Sequence, residues 1–410
     1  MRCPLRVKAL QIPDQPFLIS ASGSLSFQEA DLLCGRYQSA LKLAGIAAGE
    51  RLALLLPNSP QGVCFLFACF RQQLVLCPLN ARLPESGIRE RLDFLESENF
   101  LPELPPPGKD VLDADEIYPD RIATLLFTSG SSGNPKLIPH TLENHFLSAR
   151  SANAHAPLAP GDRWRCSLPF YHVGGLAIVF RCVLAGASLV FSDTEEVTHL
   201  SLVPTQLIRI MKGEVPSGLK RVLLGGAPLP QKLIEDAESR GLPIASSYGM
   251  TETASQITST PPGEKVWGAG RVMSHAEVKI SDAGEIWVKG GSVSAACLDA
   301  DGWLHTGDTG RLKEGILFVE GRMDRQFISG GENIQPEQIE KALMGLDGIS
   351  QAVVVAEDDE EFGQRPVAWV DGEWREEWIG ELKKSLPGYM MPIRFERLAE
   401  DGGLKPRLAR

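Results

Sequence analysis

Apolar residues fall in short blocks along this chain, and the spacing inside the blocks changes from one region to the next. Residues 24–56 read as strand, helix, strand, with 51–57 as a short buried strand. Residues 60–73 carry apolar positions at helical spacing and lead into a strand-like run at 74–79. Alternation of this kind predicts parallel strands with helices on their faces. Prolines and acidic residues then crowd positions 102–119, which predicts an irregular connection. A second alternating block runs from residue 122 to about 258 and holds candidate strands at 187–191, 199–203 and 221–224. From 266 to 318 the pattern becomes short alternating strands with turns, including 276–280 and 284–289, which predicts a small antiparallel sheet or barrel. After Arg322 comes a compact tail: strand, helix over 336–343, strand over 352–355, and a helix near 376–384. A tail this short suits a separate, mobile lid.

Composition narrows the classes. The chain has 410 residues, 43% hydrophobic and 23% charged, enough for two or three domains. Its net charge of -11 argues against nucleic acid or an acidic membrane surface as a partner, but a local cluster of donors can still bind phosphate. The eight cysteines are scattered, several in apolar runs, and none forms a Cys-x-x-Cys pair, so they read as buried reduced thiols. The N-terminus lacks an apolar leader core and no run reaches membrane-spanning length, so the expected location is cytoplasmic.

The stretch from Leu125 to Lys136, LLFTSGSSGNPK, carries the most chemistry. An apolar strand runs into a loop with Thr128, Ser129, Ser131 and Ser132, while Gly130 and Gly133 allow tight curvature and Lys136 closes it. Hydroxyls, exposed amides and one ammonium can surround a polyphosphate. The plain alternative is a Gly/Ser linker, but linkers rarely follow a buried strand and end in Pro-Lys. The spacing is not that of a Walker loop.

This loop resembles the signature of the adenylate-forming superfamily, which includes acyl-CoA synthetases, luciferases and peptide-synthetase adenylation domains. Ser132 stands where that family more often has Thr. Further segments resemble the family's motifs in the expected order. Gly225-Gly-Ala-Pro228, with Gly226 and Ala227, resembles its adenine-contacting turn. In Tyr248-Gly-Met-Thr-Glu252 the resemblance places Tyr248 on the adenine, Gly249 in the ATP site, Thr251 at the α-phosphate and Glu252 on Mg²⁺. A flat aromatic suits a purine, and a hard carboxylate beside phosphates suits magnesium. Thr306-Gly-Asp308 resembles the segment whose Asp holds the ribose hydroxyls. Gly321-Arg-Met-Asp324 resembles the junction in which Arg322 contacts ribose and Asp324 is the hinge. Ser329-Gly-Gly-Glu-Asn333 resembles the lid loop, with Gly330 and Gly331 lining the coenzyme A channel. Pro169-Phe-Tyr-His172 resembles the segment bordering the acyl pocket. Lys405, in Gly402-Gly-Leu-Lys405, matches the lysine that reaches carboxylate and α-phosphate during adenylation. It departs from the commonest pattern because Leu404 separates it from Gly403.

The resemblance implies an α/β fold. A large N-terminal domain, residues 1–322, would contain two parallel-sheet α/β subdomains and a small β-barrel, followed by a small mobile α+β lid, residues 323–410. It also implies a two-step reaction: a carboxylic acid is adenylated by Mg-ATP, then passed to coenzyme A. His172, Thr251 and Lys405 would be catalytic. Segments such as Ser201-Leu-Val-Pro-Thr-Gln-Leu207 resemble most the branch that joins o-succinylbenzoate to coenzyme A in menaquinone biosynthesis. That acid has a second carboxylate, and Arg181, in an apolar segment after His172, is the candidate residue near it. A snorkelling or capping arginine is the plainer reading. Three alternatives stay open at this point: another aryl or short acyl acid, transfer to a carrier protein, and a nucleotide-binding protein without catalysis. Oligomeric state is also open, with a homodimer among the allowed forms.

Overall fold

Arg51–Leu54 and Val75–Pro78 pair in parallel, and the helix Pro60–Arg71 is the crossover between them. Ser59 caps this helix by accepting the Gly62 N–H at 3.1 Å, and Pro60 occupies its first turn. Every residue from Val63 to Phe70 is buried, so the helix is apolar all round and lies inside the protein. Gly62 cannot be replaced without movement, because a Cβ there would lie 2.1 Å from the Pro57 carbonyl oxygen.

A computed structural model describes residues 1–97, 99–129, 135–213, 216–227, 229–373 and 375–398. They divide into two compact units. The first comprises Met1–Gly226, Leu242–Glu277 and Val288–Leu304. One of its sheets has the spatial order Phe100–Leu101, Arg51–Leu54, Val75–Pro78, Ile122–Ser129, Pro135–Thr141. All neighbours are parallel except the last pair, an antiparallel hairpin. A second run of strands is parallel from Pro16–Ser20 through Ser188–Val190, Arg163–Arg165, His199–Leu202 and Arg221–Leu224 to Ile244–Met250. Ser255–Ser259 and Arg271–Val272 then continue it antiparallel. The two parallel sheets match the expected α/β class.

Helices from both sheets share one core. Phe180, on Val173–Ala185, packs its ring against Phe70 at 5.9 Å, Phe146 at 5.6 Å and His145 at 4.8 Å. The expected irregular connection at 102–119 contains no helix or extended strand. No described helix is long and apolar enough to cross a membrane.

The second unit comprises Ala227–Gly241, Val278–Trp287 and His305–Arg410. Its β-rich part includes the hairpin of Leu304–Lys313 and Ile316–Arg322, in the region expected to be a small β element. In its C-terminal part Ala352–Asp359, Gly363–Val370, Phe327–Ser329 and Glu332–Ile334 pair antiparallel, and Arg394–Arg397 adds in parallel to Gly363–Val370. Helices Pro336–Met344 and Glu377–Ser385 supply Ile339, Leu343, Trp378 and Leu382 to a separate core. The expected α+β character of the tail is present, with the helix ends within two residues of the pattern.

Candidate active site

In the first unit the phosphate-type loop joins two strands in register. Thr128 on Ile122–Ser129 lies opposite Lys136 on Pro135–Thr141. Leu125 and Leu126 anchor the outgoing strand in the core, whereas Thr128 is half-buried and Lys136 exposed. The hairpin therefore presents a hydroxyl and an ammonium at the open end of a buried sheet. Gly130, Ser131, Ser132 and Gly133 lie outside the described residues, as does the side chain of Ser129.

Tyr248 and Gly249 end the strand Ile244–Met250, and Thr251–Thr253 forms a single 3-10 turn after it. The pairing with Ser255–Ser259 is irregular between Tyr248 and Gly249. A Cβ on Gly249 would lie 2.0 Å from the Ser255 carbonyl oxygen, so only glycine lets the two backbones approach so closely. Tyr248, Thr251 and Glu252 are all half-buried, open enough to meet a ligand. The adenine-type turn sits nearby in the same run of strands. Ser247 Oγ donates to the Leu224 carbonyl at 3.0 Å, and Gly226 adopts φ +77°. Ala227 begins the segment assigned to the second unit and is exposed.

Two residues outside the predicted set hold the turn. His140 Nε2–H donates to the Thr251 carbonyl at 2.7 Å; because a carbonyl only accepts, this bond fixes the proton on Nε2. The Ser294 N–H donates to the Glu252 carbonyl at 2.8 Å, and Ser294 Oγ–H donates to the Pro139 carbonyl at 2.6 Å. His140 is fully buried, and burial pulls its pKa down to about 4, opposed by the bond to Thr251. His145 stands beside it, ring centroids 5.1 Å apart, bonded to Thr124 Oγ1 at 2.8 Å and likewise held well below the ordinary histidine range by burial.

The Cys297 thiol feels both charged candidates. Burial raises its thiol pKa, Glu252 raises it further, and Ser294 and Lys136 pull it down. Glu252 and Lys136 thus act on one thiol in opposite directions. A half-buried carboxylate there offers the hard oxygen that a magnesium ion on a nucleotide takes from protein, so Glu252 fits the role.

His172 is exposed and precedes the helix Val173–Ala185 as its N-cap residue, its ring 4.6 Å from that of Tyr171. Its pKa lies below the usual value, first because surrounding protein desolvates it and then because Arg82 is positive. Arg181, on the same helix, is turned inward instead. Its Nη1 donates to Gln256 Oε1 at 2.8 Å and its guanidinium lies 4.5 Å over the Trp164 ring. Burial lowers its pKa to about 9.

In the second unit, Asp308 lies opposite Arg322 across the hairpin, and Arg322 Nη1 donates to Asp308 Oδ1 at 3.1 Å. Arg322 Nε also reaches Asp324 Oδ1 at 3.2 Å, the main cause of its raised pKa. These three predicted residues therefore form one charged cluster. Glu285, which the sequence reading treated only as a strand residue, accepts from the Gly307 N–H at 2.9 Å and from Trp287 Nε1–H at 2.7 Å, fixing the loop ahead of Asp308. Gly330 and Gly331, at φ +58° and +88°, form the tight turn between Phe327–Ser329 and Glu332–Ile334. Lys405 lies outside the described residues.

The model of the AMP-binding enzyme family matches residues 5–114 and 93–296. A 2-succinylbenzoate–CoA ligase of Bacillus pumilus is 33% identical, covering 96% of this chain and 93% of the relative. The enzyme of that name from Escherichia coli is 32% identical over 91% of this chain and 90% of its own length. Among solved structures, o-succinylbenzoate coenzyme A synthetase from Bacillus subtilis in complex with its acyl-adenylate intermediate superposes with a TM-score of 0.88. It is 30% identical and covers 97% of this chain and 94% of its own. The same enzyme with ATP and magnesium gives a TM-score of 0.86 at 30% identity, over 97% of this chain and 96% of that one.

Proposed function

This chain belongs to the AMP-binding enzyme family, and from that membership we propose that it is an AMP-forming ligase that joins o-succinylbenzoate to coenzyme A. The observation that carries the reading is similarity over nearly the whole chain, in sequence and in fold, to ligases of that one substrate. ATP and coenzyme A are its co-substrates, and magnesium accompanies the nucleotide, as in the relative solved with both ATP and the ion. Such thioester formation is a step of menaquinone biosynthesis.

In this reading the first half-reaction joins a substrate carboxylate oxygen to the α-phosphorus and releases pyrophosphate. No side-chain nucleophile takes part, so the protein contributes position and charge. Thr128, Lys136 and the loop between them hold the phosphates. Tyr248 lies on the adenine, Thr251 donates to the α-phosphate, Glu252 holds the magnesium ion, and Asp308 and Arg322 hold the ribose. When bound, the ion neutralises phosphate charge. Lys405 reaches the carboxylate and the α-phosphate as negative charge gathers there. His172 borders the acid pocket. Arg181 is buried and already engaged by Gln256 and Trp164. In the second half-reaction residues 323–410 turn as a lid about Asp324, Lys405 withdraws, and the thiol enters past Gly330 and Gly331. The thiol loses its proton to solvent, its sulfur bonds to the acyl carbon, and the bond from that carbon to the phosphate oxygen breaks, releasing AMP.

Incubating the protein with Mg-ATP, coenzyme A and a panel of acids, and following AMP, pyrophosphate and thioester by mass spectrometry, tests the proposal. Thioester from o-succinylbenzoate far above other acids is the expected outcome. Preference for another acid keeps the chemistry and discards the substrate. ATP binding without AMP formation overturns the enzyme reading.

A further inference from the structure

Three short segments of the first unit close a ring of hydrogen bonds. His140 donates to the Thr251 carbonyl at 2.7 Å. Ser294 N–H donates to the Glu252 carbonyl at 2.8 Å. Ser294 Oγ–H returns to the Pro139 carbonyl at 2.6 Å, beside His140. Pro139 and His140 belong to the strand Pro135–Thr141, which begins immediately after the phosphate-type loop. Thr251 and Glu252 open the turn that carries the candidate α-phosphate hydroxyl and magnesium carboxylate. The ring therefore joins the two halves of the site through consecutive residues on each side, with Ser294 as the bridge.

We propose that His140 and Ser294 are positioning residues that set the spacing between the phosphate hairpin and the Thr251–Glu252 turn, and so govern how tightly the magnesium–nucleotide complex is held. The inference rests on the proposed roles of Thr251 and Glu252. Two features make the ring a mechanical link. His140 is fully buried and its bond to the Thr251 carbonyl is short, so its ring has little freedom to follow a displaced turn. Its ring also leans on His145, which is bonded to Thr124 of the strand Ile122–Ser129 at 2.8 Å, so both strands of the hairpin take part. The turn is tied internally by Thr253, whose Oγ1 accepts the Met250 N–H at 3.1 Å and lies 2.6 Å from the Ser255 carbonyl, and the ring adds support from outside. Ala254 and Ser255 follow it at φ +50° and +105°, in the region side chains rarely adopt, so the strained backbone draws on these bonds and on its neighbours to keep its shape.

Substituting His140→Ala, His140→Gln and Ser294→Ala tests the link. Two readouts apply: ATP affinity by titration calorimetry with and without Mg²⁺, and the Mg²⁺ concentration giving half-maximal pyrophosphate release with o-succinylbenzoate. Both are independent of how much protein is folded and active, provided the calorimetric stoichiometry is fitted. Loss of one buried hydrogen bond on this path is expected to weaken Mg-dependent ATP binding about 10-fold and raise the Mg²⁺ midpoint by a similar factor in H140A. Affinity without Mg²⁺ should change far less. H140Q, with an amide N–H in place of Nε2–H, should recover most of the loss, and S294A should fall between. Folded H140A and S294A with wild-type Mg²⁺ dependence would overturn the proposal. So would an equal loss of affinity with and without Mg²⁺, which marks a general structural defect. Should H140A fail to fold, S294A decides by the same criteria. A wild-type protein that neither binds ATP nor releases pyrophosphate would instead sink the functional reading.

Discussion

His140 shows how one side chain's surroundings set a property of the protein. Its pKa is about 4 in the folded chain, because burial penalises the charged ring, against about 6.5 for an unperturbed histidine. Between those values the unfolded chain binds a proton that the folded chain refuses, so stability falls as pH falls. The contribution is complete above about pH 6.5 and is lost progressively down to about pH 4, on the order of 3 kcal/mol for this residue. His199, also brought to about 4 by burial, adds in the same direction. Thermal unfolding followed from pH 7.5 to 4.5 should show a declining midpoint, and His140→Gln should flatten that slope. A midpoint independent of pH would contradict the buried, uncharged state. None of this is legible in Pro139-His140-Thr141 as a string. Arg181 is a similar case: an arginine among apolar residues could face a ligand or the interior, and only its contacts with Gln256 and Trp164 decide.

At the scale of elements, the sequence speaks most clearly where local rules agree. Ser26 and Glu29 form a reciprocal capping box at the start of the helix Phe27–Leu43: Ser26 Oγ accepts the Glu29 N–H at 3.2 Å, and Glu29 Oε2 accepts the Ser26 N–H at 2.8 Å. Replacing Ser26 with Ala should cost about 1 kcal/mol of stability, read from the chemical denaturation midpoint, with acid-dependent pyrophosphate release unchanged. A change below a few tenths would show that tertiary packing alone holds the helix start. Elsewhere the pattern was mute. Helices Pro4–Gln11, Glu85–Leu95, Pro204–Met211 and Gln231–Ser239 are short and carry few buried residues each, so their periodicity is too brief to register. The strand Pro16–Ser20 pairs antiparallel with the adjacent Gly23–Ser26 and in parallel with Ser188–Val190 far along the chain, and a local window cannot see the second partner.

For the whole molecule, the division into half-reactions makes the sharpest demand. Lys405→Ala should abolish most acyl-adenylate formation, by roughly two orders of magnitude or more, as loss of a charge that stabilises a transition state does. Thioester formation from supplied acyl-adenylate and coenzyme A should stay near wild type, measured by single-turnover kinetics. Equal loss in both halves would remove Lys405 from its proposed role. The contacts gather into two compact units, and the second contains the whole tail from His305 onward. The signature segments are spread over both: Thr128, Tyr248 and Glu252 in the first, Asp308, Arg322 and Gly330 in the second.

The amino-acid sequence by itself determined the class of fold, the order of the signature segments and the kind of chemistry. The class of fold follows from periodicity, which sets helix or strand, and hydroxyls beside a lysine suit phosphate, whereas the order of the signature segments and the reaction came from their resemblance to a known family. The tertiary structure alone decided which residues support that chemistry. His140 meets Thr251, Ser294 meets Glu252, and Glu285 meets Gly307 only after strands distant in sequence have paired. Hydrogen bonds act over about 3 Å, so a partner tens of residues or more away in the chain leaves no mark on local pattern. The fold has to bring it there first.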